Sequence, residues 1–246
     1  MKHRAWSAVA ALTLALAIPL SAPAQAEMTL QTLSAPAEVL AKYLYPFNGS
    51  LMKSTFTNAS TVAALAVKPD TGILNDPFTV TGSGLTPNTS YSLAWNTTDA
   101  AWLGEVDPTT ANFRGTKYTK INVEMGKVTT DASGAFTFQT KVPADFGNTH
   151  DIYLVKDDVA VAKGGFEVMR SVSMSPTKGP IGTPITITYT GMGASLYTAG
   201  AAINYDNDYM GQFLALWTRG TGTAVIRAAG RPGKHFVHVM DAIEYQ

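Results

Sequence analysis

Pro176-Thr-Lys-Gly179-Pro-Ile-Gly182-Thr-Pro184-Ile-Thr-Ile-Thr-Tyr-Thr-Gly191 is the stretch on which the fold turns. Ile185, Ile187 and Tyr189 alternate with Thr186, Thr188 and Thr190, the period-two pattern of a strand with one face buried and one in water. The apolar face of such a strand must meet a second sheet. The same stretch also occurs earlier: Pro69, Gly72, Pro77, Thr79, Thr81 and Gly84 recur as Pro176, Gly179, Pro184, Thr186, Thr188 and Gly191, all at one offset. The spacing is too long for a solenoid unit and matches the size of one β-sandwich, so the sequence reads as two tandem sandwiches of common ancestry. One departure stands out, Asn75-Asp76 in the first copy against Gly182-Thr183 in the second.

The downstream halves correspond too. Phe136-Thr-Phe138, Val142-Pro143, Gly147-Asn-Thr-His150 and Ile152-Tyr-Leu-Val155 run parallel to Ala224-Val-Ile226, Arg231-Pro232, Gly233-Lys-His235 and Phe236-Val-His-Val239. A histidine after a glycine at a strand entrance, found twice, reads as a structural device whose ring bonds neighbouring backbone. Further strands are expected at 91–95, 118–124, 135–142, 152–155 and 160–168, with Asp131-Ala-Ser-Gly134 as a turn between two of them. The first copy ends in the apolar segment 159–168; after residues 235–240 the second has no counterpart, only Asp241 to Gln246. Two expectations stand side by side: a smaller six-stranded sandwich whose open edge is tolerated, or a sandwich that lacks its final strand and is completed by residues 27–60 folding back or by a strand-adding partner.

Composition fits an all-β chain. The 246 residues are 46% hydrophobic and only 15% charged, and threonine, a strand former, is abundant. Eighteen basic and eighteen acidic residues give a net charge of zero, which argues against nucleic acid as a partner. Residues 1–26 carry Lys2 and Arg4, an apolar run from Ala8 to Leu20 and a small-residue exit at Ala24-Gln25-Ala26, the pattern of a signal peptide cleaved after Ala26. No later stretch has the length of a membrane span, so the expected location is secreted or periplasmic. With no cysteine in the chain, a lipid-anchored form and disulfides are both excluded. Residues 27–60 form an N-terminal segment with a short helix at 35–45 closed by Pro46, followed by a linker over 48–60. The two repeats then occupy 61–169 and 170–246.

Pro-x-x-Gly ahead of a Thr/Val-rich first strand that ends in Gly, as in Pro176 to Gly191, resembles the opening of bacterial IPT/TIG and related immunoglobulin-like domains. The resemblance extends through Thr130 to Phe136 and Val142 to Gly147. It implies two tandem immunoglobulin-like sandwiches behind the signal peptide and the partly helical N-terminal segment. Such domains serve as spacers, adhesive modules or partners of secreted enzymes, and no catalytic residue carries over.

A search for chemistry returns little. There is no His-Glu-x-x-His, no Gly-x-Ser-x-Gly elbow and no phosphate loop, and Gly220-Thr-Gly222 lacks the setting of a dinucleotide fingerprint. Asp206-Asn-Asp-Tyr-Met-Gly211 starts like a calcium loop but puts Met210 and Trp217 where oxygens are needed, so a hairpin turn is the better reading. The longest expected loop, 96–117, carries Trp102, Phe113 and Arg114, candidates for a ligand-binding surface because long loops on sandwiches carry function. Trp95, inside a strand, reads as core. His238 and Met240, two apart on one strand, share a face and offer nitrogen and thioether to copper, though that face equally reads as core. The sequence therefore points to a non-enzymatic binding or scaffolding protein of the envelope or exterior with no cofactor and an unidentified protein or glycan partner. A carbohydrate-binding module is the second reading and a periplasmic copper-binding protein the third.

Overall fold

The computed structural model describes residues 28–107, 109–195 and 198–242; the expected signal segment lies outside these. In chain order the strands are β1 (Thr29–Leu33), β2 (Leu51–Met52), β3 (Thr57–Ala64), β4 (Ala66–Lys68), β5 (Thr71–Gly72), β6 (Pro77–Gly82), β7 (Ser90–Val106), β8 (Ala111–Thr129), β9 (Phe136–Lys141), β10 (Asn148–Lys156), β11 (Val159–Val168), β12 (Ser171–Ser175), β13 (Pro184–Thr190), β14 (Gly200–Tyr205), β15 (Asp208–Leu214), β16 (Gly222–Arg227) and β17 (Val237–Asp241). Among the described residues one helix, α1 (Ala37–Tyr43), precedes a single 3-10 turn at Pro46–Asn48. The fold is all-β. Among the described residues no helix is long and apolar enough to cross a membrane.

The large sheet runs β2-β8-β7-β10-β11-β3, with β1 added to β7 and β5 to β11, and a three-stranded sheet β4-β6-β9 faces it. Between them lies the main core, including Val80, Leu93, Trp95, Ile152, Leu154 and Phe166. The second half repeats the scheme at smaller scale: β12-β13-β16 and β15-β14-β17 enclose Ile187, Ile203, Tyr205 and Ile226. Burying these side chains supplies the main stabilisation, about 1.5–3 kcal/mol for each large apolar group removed from water.

The sequence repeat is a repeat of geometry. Before β6, Asp76 N donates to Ile73 O at 3.0 Å and Val142 N donates to Asp76 O at 2.9 Å. Before β13, Thr183 N donates to Pro180 O at 3.1 Å and Ala228 N to Thr183 O at 2.9 Å. Asn75 (φ 72°) and Gly182 (φ 89°) are both left-handed. The one departure between the copies is thus a change of residue with no change of turn, since asparagine is among the few side chains that visit this region at modest cost.

Two expectations are corrected. Residues 96–117 are not a loop but the far half of a long antiparallel hairpin, in register from Asn96↔Asn122 to Val106↔Ala111. Threonine-rich polar sequence without alternation resembles a loop, yet threonine suits an exposed strand face. Residues 48–60 are not a linker, for β2 and the start of β3 lie there. The expected helix is present, shortened to α1 and closed before Pro46, which cannot continue it. The strands of the N-terminal segment also settle one question about the second half. β1 pairs with β7, β2 with β8 and β3 with β11, all in the large sheet. Completion of the second half by residues 27–60 folding back is therefore excluded for the described residues.

Candidate functional site

The two halves meet at a built joint rather than a linker. Arg219, from the β15–β16 connection of the second half, is 4% exposed and reaches Asp145 of the first half, whose side chain is fully buried. Its Nε donates to Asp145 Oδ1 at 3.1 Å and its Nη2 to Thr98 O at 3.0 Å. The other carboxylate oxygen accepts Trp95 Nε1 at 2.8 Å. The guanidinium lies 5.3 Å from the centre of the Phe146 ring, and Gly147 N donates to Met192 O at 2.9 Å. A buried charge is tolerable only where it is paired and its remaining hydrogen-bonding capacity is used, and both conditions hold here. Ala100 and Phe146 from the first half pack with Ala199 and Leu216 from the second around this network.

The sequence-predicted binding trio lands beside the same joint. Trp102 is half-buried, its ring 4.8 Å from Trp217 of the second half and 6.0 Å from Phe113, edge-on. Arg114 is exposed and pairs with Glu105 at 2.7 Å across the hairpin. The structure thus brings Trp102 and Phe113 together, and the partner Trp102 faces is the second half of the chain. Trp95 is fully buried, as expected. Asp145 and Arg219 escaped the sequence reading because they lie 74 residues apart and each looks like a lone surface charge. The repeat offers only a faint signal: Asp145 is an acidic residue with no acidic counterpart in the stretch from Ala228 to His235 of the second copy.

The duplicated histidine is the structural device expected of it. His150 Nε2 lies 2.8 Å from Phe146 O and His235 Nε2 lies 2.9 Å from Arg231 O, each four residues upstream. Each ring stacks on the aromatic of the neighbouring strand, Trp95 at 4.4 Å and Tyr205 at 5.1 Å. In the second copy Nδ1 faces Asp206 Oδ2 at 2.7 Å. That hydrogen bond raises the His235 pKa above the usual histidine value and holds the Asp206 carboxyl below the usual carboxylate value. Asp206 sits in the β14–β15 hairpin turn, which bears out the turn reading of that segment.

His238 and Met240 do share a face of β17, and both are exposed, so the face is not core. Phe236 stacks on His238 at 6.3 Å, while His235 points inward. Among the described residues no group of three or more His, Asp or Glu side chains converges.

A separate polar cup of about 240 Å³ opens on the large sheet, lined by Phe56, Asn96, Lys120, Asn122, Asp151 and Tyr153. Burial, with the Asp151 carboxylate 2.9 Å away, raises the Tyr153 phenol above its usual value.

No family model and no curated protein sequence matches the chain.

Proposed function

We infer that the chain is a non-catalytic binding or scaffolding protein, exported to the envelope or exterior, made of two tandem immunoglobulin-like sandwiches of the IPT/TIG kind. The observation that carries this reading is the joint. The residues richest in chemistry, Asp145, Arg219, Trp95 and His150, are spent on one another in fixing two repeated units in one relation. A fixed pair of sandwiches presents its outer strands at a set distance and angle, which is what a scaffold or adhesive module requires. Export rests on the pattern of residues 1–26. Carbohydrate binding is the second reading, and it moves from Trp102 to the cup of Phe56, Tyr153, Lys120 and Asp151, where an aromatic wall meets charged groups able to bond hydroxyls.

The test is expression of the full 1–246 chain in a bacterial host, with the N-terminus read by mass spectrometry after fractionation. A product that begins at Glu27 in the periplasmic or culture fraction is expected. An unprocessed chain in the cytosol overturns the export reading. Glycan-array binding that is lost in Tyr153→Ala would replace the protein-scaffold reading with the carbohydrate one.

A further inference from the structure

The second half has an open seat that the first half fills. In the first half β11 lies along β10 in register His150↔Phe166, Ile152↔Gly164 and Leu154↔Ala162. It also reaches across to the facing sheet's edge, where Leu65 N donates to Lys163 O at 2.9 Å. Among the described residues nothing pairs with the outer edge of β17, which stands where β10 stands, or with that of β12, the counterpart of β4. The consequence is measurable side chain by side chain. Leu65, under β11, is 7% exposed, while its repeat counterpart Val172 is 48% exposed and Met174, the counterpart of Val67, is 43% exposed.

Between those two open edges lies a cavity of about 180 Å³. Its walls include Gly179, Ile185, Tyr205 and His235. Their counterparts in the first half are Gly72, Phe78, Trp95 and His150, and those four surround a single ring, that of Phe166. Phe166 lies 4.5 Å from Phe78 and 6.2 Å from Trp95, and a Cβ built on Gly72 would stand 3.3 Å from its Cζ. It is directly opposite His150 in the ladder. The cavity is therefore the place of the Phe166 ring in a copy of the sandwich that has no β11.

Charge defines the occupant further. Glu167, next to Phe166, sits in the ladder between Thr149 and Thr71. The counterparts of those threonines are Lys234 and Lys178, both at the cavity. We propose that the second half binds an extended segment of a partner polypeptide as an added β-strand antiparallel to β17, with an aromatic side chain in the cavity and an acidic residue beside it between Lys178 and Lys234. Inward positions before the aromatic are expected to be small, as Ala160, Ala162 and Gly164 are in β11, where a Cβ built on Gly164 would stand 3.0 Å from Val67 Cγ2. Main-chain pairing supplies affinity and the aromatic–acid pair supplies specificity. The inference rests on the binding-protein reading and gives it a partner class.

The experiment uses the protein of residues 27–246 and, as probe, a synthetic peptide with the sequence of residues 159–168, read by calorimetry and by amide hydrogen exchange. Binding with new protection over Val237–Asp241 is expected. A peptide carrying Phe166→Ala should bind about tenfold more weakly or worse, from the loss of one buried aromatic, and one carrying Glu167→Lys should weaken with it. Met174→Trp in the protein, at an exposed position that leaves the fold intact, should block the seat. Absence of peptide binding, or binding indifferent to Phe166→Ala and Met174→Trp, overturns the proposal. So does strong protection of the β17 edge in the protein alone: in dilute monomer it would mean the seat is already filled within the chain, and if it grows with concentration it assigns the seat to a second copy. Because the assay uses purified protein, its failure is separate from a failure of export.

Discussion

Removing the Arg219 guanidinium should be among the costliest single substitutions at the joint. Arg219→Met keeps the alkyl stem and deletes the charge, leaving Asp145 fully buried with Trp95 Nε1 as its remaining close donor. Breaking a buried pair from one side costs about 3–5 kcal/mol, because the desolvated partner is left uncompensated. Against a typical total of about 5–15 kcal/mol, that is a large share. Asp145→Ala should cost at least as much, since it orphans both the Arg219 charge and the Trp95 N–H. The double variant Arg219→Met with Asp145→Leu should recover much of the loss, because replacing both partners by apolar groups removes the desolvation penalty along with the pair. Urea unfolding followed by tryptophan fluorescence measures all three, and the cycle isolates the coupling. Because Arg219 belongs to the second half and its partners to the first, Arg219→Met should also split one transition into two. A loss below about 1 kcal/mol in Arg219→Met would refute the reasoning, for it would mean that the guanidinium is not desolvated or that Asp145 is satisfied without it.

Trp102→Ala should lower stability by about 2–3 kcal/mol, less than a fully buried tryptophan because the ring is half-buried against Trp217; unchanged urea midpoints would remove it from the joint. Gly147→Ala places a Cβ 1.8 Å from Gly191 O, so the halves must part, and calorimetry should show a loss of about 1–3 kcal/mol. Asn75→Gly should be nearly neutral and Asn75→Ala should cost about 1 kcal/mol, because φ 72° suits the first and strains the second; equal melting temperatures for the two would count against the turn assignment. The His235–Asp206 pair should support the fold most between roughly pH 4 and 6.5, from the ordinary carboxylate value to the ordinary histidine value. With the histidine raised and the carboxylate lowered in the folded state, its contribution fades as pH rises through the folded His235 value and as pH falls through the folded Asp206 value. An NMR titration should place His235 above an ordinary histidine and bring it down in Asp206→Asn; an identical titration in both proteins would show that the carboxylate is not the cause.

What the sequence made legible was whatever repeats or alternates. Ile185, Ile187 and Tyr189 show a buried face because period two survives wherever one side of a strand meets a core. The twin histidines were visible because the same hydrogen bond was built twice. Residues 57–64 hid their strand, since mostly exposed small and polar side chains carry no alternation, and β3 is held by backbone pairing to β11. The far half of the β7–β8 hairpin hid for a related reason: Trp102 and Ala100 face the second half of the molecule, a surface that no local window contains. The joint was least legible of all, because Asp145 and Arg219 acquire meaning only from each other.

The two copies keep the same turn, the same histidine and the same facing sheets, so their differences mark where use has parted from fold. In the first copy the β11 position is filled, and Asp145 and Phe146 go into the joint. In the second the position is open among the described residues, and lysines stand where the first copy has threonines. These features sit at opposite ends of the second half: β13 starts beside the cavity at Ile185 and ends toward the joint near Met192, whose N–H donates to Gly220 O and whose carbonyl accepts Gly147 N. An added strand on β17 therefore needs no opening of the joint, and a rigid joint leaves the seat facing outward in a fixed direction. On the proposed strand addition, the first copy, with its N-terminal strands, would serve as the mount and the second as the receptor.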